Sequence, residues 1–219
     1  MEHRHQMKAV IDNDVLLKAA CYGLLDKLVW TASSQSGTGV LGTARFVVPR
    51  KINNARLNNE RGKALQNFWA FLNQTEILEP GNDEQRMAAD FELAAQKVGA
   101  NLDEGESQLC AVVIQRVLPL LVTGDKRAIT AFESILDADP RLPAICGKVK
   151  CMEQVFAASV GQHGCDMLRL AVCAEPKIDK ALSICFACKS QRVEDASILE
   201  GLQSYIGHLR QCASRVLAP

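Results

Sequence analysis

Length, composition and charge place the chain among ordinary folded proteins. It has 219 residues, and its 48% hydrophobic and 23% charged content is typical of a globular domain with a full core. Its 25 basic and 25 acidic residues cancel, which argues against a dedicated, strongly basic nucleic-acid binder but permits an enzyme with a local basic surface. No apolar stretch approaches the ~20 residues of a membrane span, and no signal peptide is visible. We expect a cytoplasmic protein with no membrane segment.

In chain order, the hydrophobic pattern first predicts strands alternating with helices. The expected elements are a strand at 7–12, a helix at 14–30, a loop at 31–42, a short strand or turn at 46–49, a helix at 50–72, a strand at 75–78 and a helix at 83–98. Further on we expect a helix that is capped by Asn101 or Asp103 and runs to about 117, a strand at 119–123, a helix that opens at Asp125 and a weaker strand at 147–151.

The pattern changes after residue 152, where no further strand is indicated. Residues 178–190 and 193–217 are predicted to be helical, and the second segment is amphipathic. These features predict an α/β fold, a three-layer parallel sheet flanked by helices, over residues 1–155. An all-helical C-terminal extension at 156–219 would pack on this domain or on a partner, and a homodimer through its helices is one possibility.

The nine cysteines are spread between Cys21 and Cys212, often within apolar helical patterns. This distribution predicts buried free thiols in a reducing compartment rather than a disulfide framework. Cys185 and Cys188 form a Cys-x-x-Cys pair, but a structural zinc site would need a second closely spaced pair. A buried helical face is therefore favoured for this segment, with zinc binding as the alternative.

Acidic residues follow two of the predicted apolar strands. Asp12 and Asp14 come at the end of the first strand, and Asp125 follows the strand at 119–123. Glu106 lies in the first turn of the helix that begins near 103. In open α/β sheets, ligand sites lie beyond the carboxyl ends of the strands, and carboxylates gathered there suit Mg²⁺ or Mn²⁺. The sequence therefore predicts a metal site that activates water, with the Thr123 hydroxyl placed to orient a carboxylate or a water.

Each of these acids also has a purely structural interpretation. Asp12 and Asp125 stand where helix N-caps are expected. Glu106 could serve only to complement the helix dipole. Asp14 and Asp103 fit better as caps or solvated neighbours than as direct metal ligands.

Three motifs, in order and spacing, resemble those of PIN-domain nucleases. They are the strand-to-helix opening Val10–Leu17, the Gly-Glu helix start within Leu102–Gln108, and the Thr-x-Asp sequence within Leu121–Arg127. The resemblance covers residues 7 to about 155.

The resemblance implies a PIN-like fold and a Mg²⁺- or Mn²⁺-dependent enzyme that hydrolyses RNA. It implies Asp12, Glu106 and Asp125 as the catalytic, metal-binding acids, and we add Asp14 as an auxiliary metal ligand. RNA is then the expected partner, held by nearby basic residues, and a regulatory protein partner is possible.

One part of the family pattern is missing. PIN nucleases usually carry another acid on the helix after the second strand, where this chain has Val48–Arg56. The alternative hypothesis is therefore a weak or inactive PIN-like scaffold for protein–protein interaction. The basic run in this region is open to two interpretations, a phosphate-steering rim or a solvated helix face. It consists of Arg45, Arg50, Lys51 and Arg56.

Overall fold

The computed structural model describes residues 7–33 and 37–219, and within these ranges five parallel strands form one sheet flanked by helices. The strands are β1 (Met7–Ile11), β2 (Gly37–Leu41), β3 (Glu76–Leu78), β4 (Leu121–Thr123) and β5 (Val149–Cys151). Their spatial order is β3-β2-β1-β4-β5, with β1 at the centre. The predicted α/β fold with a parallel sheet is confirmed.

Helices connect the strands and continue after the last of them. They are α1 (Asn13–Tyr22), α2 (Leu25–Ala32), α3 (Ala44–Asn54), α4 (Arg61–Leu72), α5 (Asn82–Lys97), α6 (Glu104–Gln115), α7 (Lys126–Ile135), α8 (Met152–His163), α9 (Cys165–Ala174), α10 (Lys180–Cys185) and α11 (Asp195–Cys212). A short 3₁₀ turn at Leu142–Ile145 precedes β5. Within the described ranges, none of the helices combines the length and apolar character that crossing a membrane requires.

The sheet is buried on both faces, which explains why β1 is apolar at successive positions. Ala9 and Ile11 point to one face, where they pack with α1 to α4, α8 to α10 and the first half of α11. Val10 points to the other face, where it packs with α5 to α7 and the second half of α11. The helices after residue 156 therefore share both hydrophobic clusters with the sheet.

Two predictions for the region before β2 were wrong. The helix expected at 14–30 is interrupted because Gly23, with φ of 67°, ends α1 in the left-handed conformation. The segment expected as a loop at 31–42 contains the tail of α2 and the strand β2; residues 34–36 lie outside the described part. β2 has the sequence Gly-Thr-Gly-Val-Leu, and it forms a strand because β1 and β3 pair with it on either side.

The strand or turn expected at 46–49 was also wrong, and the helix expected at 50–72 is divided between two helices. Residues 46–49 belong to α3, which continues through Pro49. Burial of Ala44, Val48 and Ile52 at four-residue spacing anchors this helix in the core despite the hydrogen bond that proline removes. A separate helix, α4, begins only at Arg61.

Both helices predicted for the C-terminal region are shorter in the structure than expected. The helix expected at 178–190 is limited to α10, and the one expected at 193–217 ends at Cys212. After α11 the chain runs along the free edge of β5, with a bridge between Leu217 and Val149. The apolar face of α11 packs against α7, α8 and α10 of the same chain.

The expectation of free thiols throughout was wrong at one pair. Cys173 and Cys188 form a disulfide that joins α9 to the turn after α10, with 5.0 Å between their Cα atoms. Their spacing of 15 residues does not reveal this, because the contact depends on how α9 and α10 pack. The free cysteines are Cys21, Cys110, Cys151, Cys165 and Cys185, which are buried, and Cys146 and Cys212, which are exposed.

Candidate active site

The carboxyl ends of the central strands open into a cleft of about 420 Å³. Asp12 directly follows β1, Asp125 follows β4, and Glu106 comes from the first turn of α6. All three predicted catalytic acids line this cleft, together with Asp14 and Lys51. The cleft forms where it does because β1 and β4 are neighbouring parallel strands that both end at this edge.

Asp12 is buried but does not cap a helix with its side chain. It occupies the N-cap position of α1, yet its carboxylate makes no capping hydrogen bond. Instead, its Oδ2 accepts a hydrogen bond of 3.0 Å from the Thr123 hydroxyl. The same hydroxyl oxygen accepts a 3.1 Å bond from the backbone N–H of Asp125. Thr123 thus links the ends of β1 and β4 and orients the Asp12 carboxylate.

The environment of Asp12 disfavours its charged form. Burial and the neighbouring negative charge of Asp14 raise its pKa from 3.8 to about 6, while the hydrogen bond from Thr123 partly opposes the shift. Asp12 forms no ion pair with any side chain in the part of the chain that the structure describes. A buried carboxylate without a cation is unusual, because only its hydrogen bonds then offset the cost of desolvation.

Glu106 forms a reciprocal cap with Asp103 at the start of α6. The Glu106 N–H donates to Asp103 Oδ1 at 2.9 Å, and the Asp103 N–H donates to Glu106 Oε2 at 3.0 Å. The cap considered for Asp103 is therefore present, and Glu106 completes it as a capping box. Burial, with the charges of Asp103, Asp125 and Asp12, nevertheless raises the pKa of Glu106 from 4.5 to about 8.

Asp125 differs from the other two acids because a cation already accompanies it. Its Oδ1 accepts the backbone N–H of Arg127 at 2.8 Å, which confirms the N-cap role at α7. Its Oδ2 lies 2.7 Å from Nη2 of the Arg127 guanidinium. Burial alone would raise the pKa of Asp125, but the hydrogen bonds from Arg127 outweigh burial and lower it.

Asp14 lines the cleft but pairs with an internal lysine. Lys18 Nζ lies 2.6 Å from Asp14 and 2.7 Å from Asp179, the residue before α10. These opposite charges outweigh the effect of burial and raise the pKa of Lys18. Gly124 makes room for the pair, since a Cβ there would lie 2.1 Å from Asp14 Oδ2.

A second lysine pair lies beside the first. Lys126 Nζ is 2.5 Å from the buried carboxylate of Glu153, at the start of α8. We call Asp14, Lys18, Asp179, Lys126 and Glu153 the lysine network. The sequence pattern did not predict this network. Its local signal is the four-residue spacing of Asp14 and Lys18, which suits an ion pair on a helix.

The helix after β2, α3, presents polar, apolar and basic side chains to the cleft, and none of its described residues that line the cleft is acidic. Thr43, which stands at the N-cap of α3, lines the cleft together with Val47 and Lys51 from the next two turns. Of the basic run, Lys51 therefore faces the acids. Arg45, in contrast, is directed to Glu79 and to the backbone carbonyl of Gly42.

The donor chemistry of the cleft suits a hard divalent cation. Asp12 and Glu106 are carboxylates that repel one another and have no cation partner among the described residues, and oxygen ligands of this kind are those that Mg²⁺ and Mn²⁺ prefer. The side chains are not yet gathered around one point. In residues 7–33 and 37–219, no three histidine, cysteine or acidic side chains stand close enough to hold a metal ion together. Asp14 and Asp125 are instead directed toward Lys18 and Arg127.

Comparison with known proteins adds no family to this picture: no protein-family model matches the chain, and no curated protein matches it either.

Proposed function

We propose that the chain is a PIN-like, metal-dependent ribonuclease that hydrolyses RNA phosphodiester bonds in the acidic cleft. The observation that carries the proposal is the meeting of Asp12, Glu106 and Asp125 in one cleft, although they come from three separate segments. The parallel sheet with β1 at its centre and the order of the three sequence motifs agree with it.

In this proposal Asp12, Glu106 and Asp125 hold Mg²⁺ or Mn²⁺, which supplies a Lewis acid that activates water and offsets charge on the phosphate. Thr123 fixes the orientation of Asp12, and the N–H of Asp103 fixes that of Glu106.

The other cleft residues have supporting roles. Lys51 and Arg127 line the same cleft and supply positive charge to hold the phosphate. Asp14, the auxiliary ligand expected from the sequence, positions Lys18 and the loop at Gly124 in this arrangement.

The test is cleavage of a mixed-sequence single-stranded RNA with Mn²⁺, comparing the wild type with Asp12→Asn and Asp125→Asn. Cleavage should require the metal and fall to background in both variants, because each loses a ligand charge. Calorimetry on the same proteins should show weaker Mn²⁺ binding. A matched control is Asp83→Asn, which removes a carboxylate from the first turn of α5, where it is 76% exposed. This variant should cleave like the wild type.

A non-catalytic PIN-like scaffold for protein–protein interaction is the second candidate. Lys18 and Arg127 of the chain itself pair with two of the four predicted ligands, Asp14 and Asp125. Lys51 also faces the cleft from α3. Folded wild-type protein that neither cleaves RNA nor binds Mn²⁺ would favour this scaffold and contradict the nuclease.

A further inference from the structure

A basic groove runs along α3 beside the acidic cleft. It has a volume of about 790 Å³ and lies between α3 and the segment that follows α9. Arg50, Lys51, Arg56 and Lys177 contribute cations to its lining, and no acidic side chain of the described residues lines it. We call this feature the α3 groove. The positive charge of this groove contrasts with the net charge of zero of the whole chain.

The cations of the α3 groove are available to a ligand. All four are exposed, and none of them forms an ion pair with another residue that the structure describes. Other arginines of the chain, such as Arg116, Arg141 and Arg215, are directed to carboxylates. Four neighbouring cations without counter-charges repel one another, and a polyanion would relieve this repulsion.

The helical extension holds its part of the groove in place. Lys177 lies between two anchored residues, Glu175 and Asp179. The buried Glu175 carboxylate accepts hydrogen bonds of 2.7 and 2.6 Å from the backbone N–H groups of Asn58 and Asn59. Asp179 pairs with Lys18 at 2.7 Å. The position of Lys177 opposite α3 is therefore fixed from both sides.

The α3 groove is continuous with the acidic cleft. Val47 and Lys51 line both, so Lys51 stands at the junction. A ligand that places one phosphate at the acids and extends past Lys51 enters the groove directly. A chain of phosphates fits this geometry better than a single anion, because the cations continue from Lys51 to Arg56 and Lys177.

Apolar and aromatic groups favour nucleic acid over an acidic polypeptide as the occupant. Leu17, Val47 and Ile178 supply apolar surface between the cations. Phe46 is 72% exposed and stands one helical turn before Arg50. An exposed ring beside a cationic track is the arrangement on which single-stranded bases stack, with little dependence on sequence.

We infer that the α3 groove binds the backbone of single-stranded RNA on one side of the scissile phosphate, with Phe46 stacking a base. The inference rests on the proposed function, since it takes the acidic cleft as the place of cleavage. It adds the path of the substrate and gives the helical extension a part in holding it.

The test is fluorescence anisotropy of a labelled single-stranded RNA in EDTA, so that no cleavage occurs. The variant Arg50→Gln/Arg56→Gln/Lys177→Gln leaves Lys51 in place. Its affinity should fall at least tenfold, and the slope of log affinity against log salt should decrease by about 2, because three phosphate contacts are lost. Phe46→Ala should weaken binding about fivefold or more with the salt slope unchanged.

The matched control removes three exposed cations elsewhere, in Lys27→Gln/Lys97→Gln/Lys189→Gln. It should bind RNA like the wild type, and equal losses in the two triple variants would overturn the inference. Binding of polyglutamate instead of RNA would overturn it in favour of an acidic protein partner. If the groove variant does not fold, the test is crosslinking of 4-thiouridine RNA to the wild type. We expect crosslinks within residues 46–56 or at 177–178. Crosslinks confined to other residues would contradict RNA binding in the α3 groove.

This experiment separates the two proposals. Loss of RNA binding in the groove variant, with a wild type that does not cleave, would support the groove and contradict the nuclease. Cleavage by the wild type, with unchanged binding in the groove variant, would contradict the groove alone.

Discussion

Two groups of carboxylates lie next to each other at the carboxyl edge of the sheet and have opposite electrostatic character. In the lysine network, Asp14 and Asp179 share Lys18, and Glu153 pairs with Lys126. In the acidic cleft, Asp12 and Glu106 have no cation partner among the described residues, and burial with neighbouring negative charge raises the pKa of each. Carboxylates that are paired with a cation stabilise a structure, whereas carboxylates without a cation partner are typical of binding and catalytic sites.

The difference is sharpest between Asp12 and Asp14, which are two residues apart. Asp12 is directed to Thr123 on β4, and Asp14 is directed to Lys18 one turn further along α1. Their separate environments arise from the turn between β1 and α1, which directs the two side chains to different sides. We expect substitutions in the two groups to have opposite effects on stability.

The largest effect should come from Lys18→Met. It leaves Asp14 and Asp179 without their shared cation, and removing one partner of a buried ion pair costs about 3 kcal/mol. Urea unfolding should therefore show a free energy of unfolding lower by about this amount. The control Lys27→Met, on the exposed face of α2, should change it by less than ~0.5 kcal/mol.

The cleft should respond in the opposite direction. At pH 8 in EDTA, Asp12→Asn removes a repelled charge and should leave the free energy of unfolding unchanged or higher. If Asp12→Asn destabilised the protein as much as Lys18→Met, the distinction between the two groups would be wrong.

The elements that the sequence predicted well are those whose local pattern matches their environment. β1 and β4 are short, continuous apolar runs because both faces of the sheet are covered. β2 was missed because two of its five residues are glycine, which has little strand preference, and its pairing with β1 and β3 is a long-range effect. The break after Tyr22 depends on one residue, Gly23.

The same limit applies to the candidate site. The sequence brought together Asp12, Glu106 and Asp125, because strand ends and helix starts are local signals. It did not predict the lysine network, because Asp179, the second partner of Lys18, lies 161 residues after it and reaches it only through the packing of the extension. Lys51 was part of a predicted basic run, but its position in the cleft depends on where α3 begins.

A smaller effect should appear in the pH dependence of the metal-free protein. The pKa of Glu106 is about 8 in the folded chain against an ordinary 4.5, so between these values only the folded state keeps the proton. The free energy of unfolding should then fall as pH rises, by at most about 1.4 kcal/mol per pH unit from this group. Glu106→Gln should flatten the slope between pH 6 and 8 in EDTA, where Asp12 contributes less because its pKa is about 6.

The glutamine keeps the oxygen that accepts the Asp103 N–H, so the helix cap is preserved. Glu104→Gln, two residues earlier on α6, is the control and should retain the wild-type slope. The contribution of Asp179 to the pH dependence should have the opposite sign. The charge of Lys18 outweighs burial and lowers the pKa of Asp179. Its contribution to the free energy of unfolding is therefore lost as pH falls below about 4. An unchanged slope in Glu106→Gln would contradict the uncompensated character of the cleft.

The smallest effect should come from Arg127→Gln, which tests where the boundary between the two groups lies. Asp125 belongs to the cleft by position, but the Arg127 guanidinium pairs with it through hydrogen bonds of 3.2 Å from Nε and 2.7 Å from Nη2. A divalent cation in the cleft has to compete with the guanidinium for Asp125, so the variant should bind Mn²⁺ severalfold more tightly by calorimetry. Arg86→Gln, which removes the partner of exposed Asp83, should leave Mn²⁺ binding unchanged. Weaker binding in Arg127→Gln would instead mean that the arginine holds Asp125 in the orientation that the metal needs.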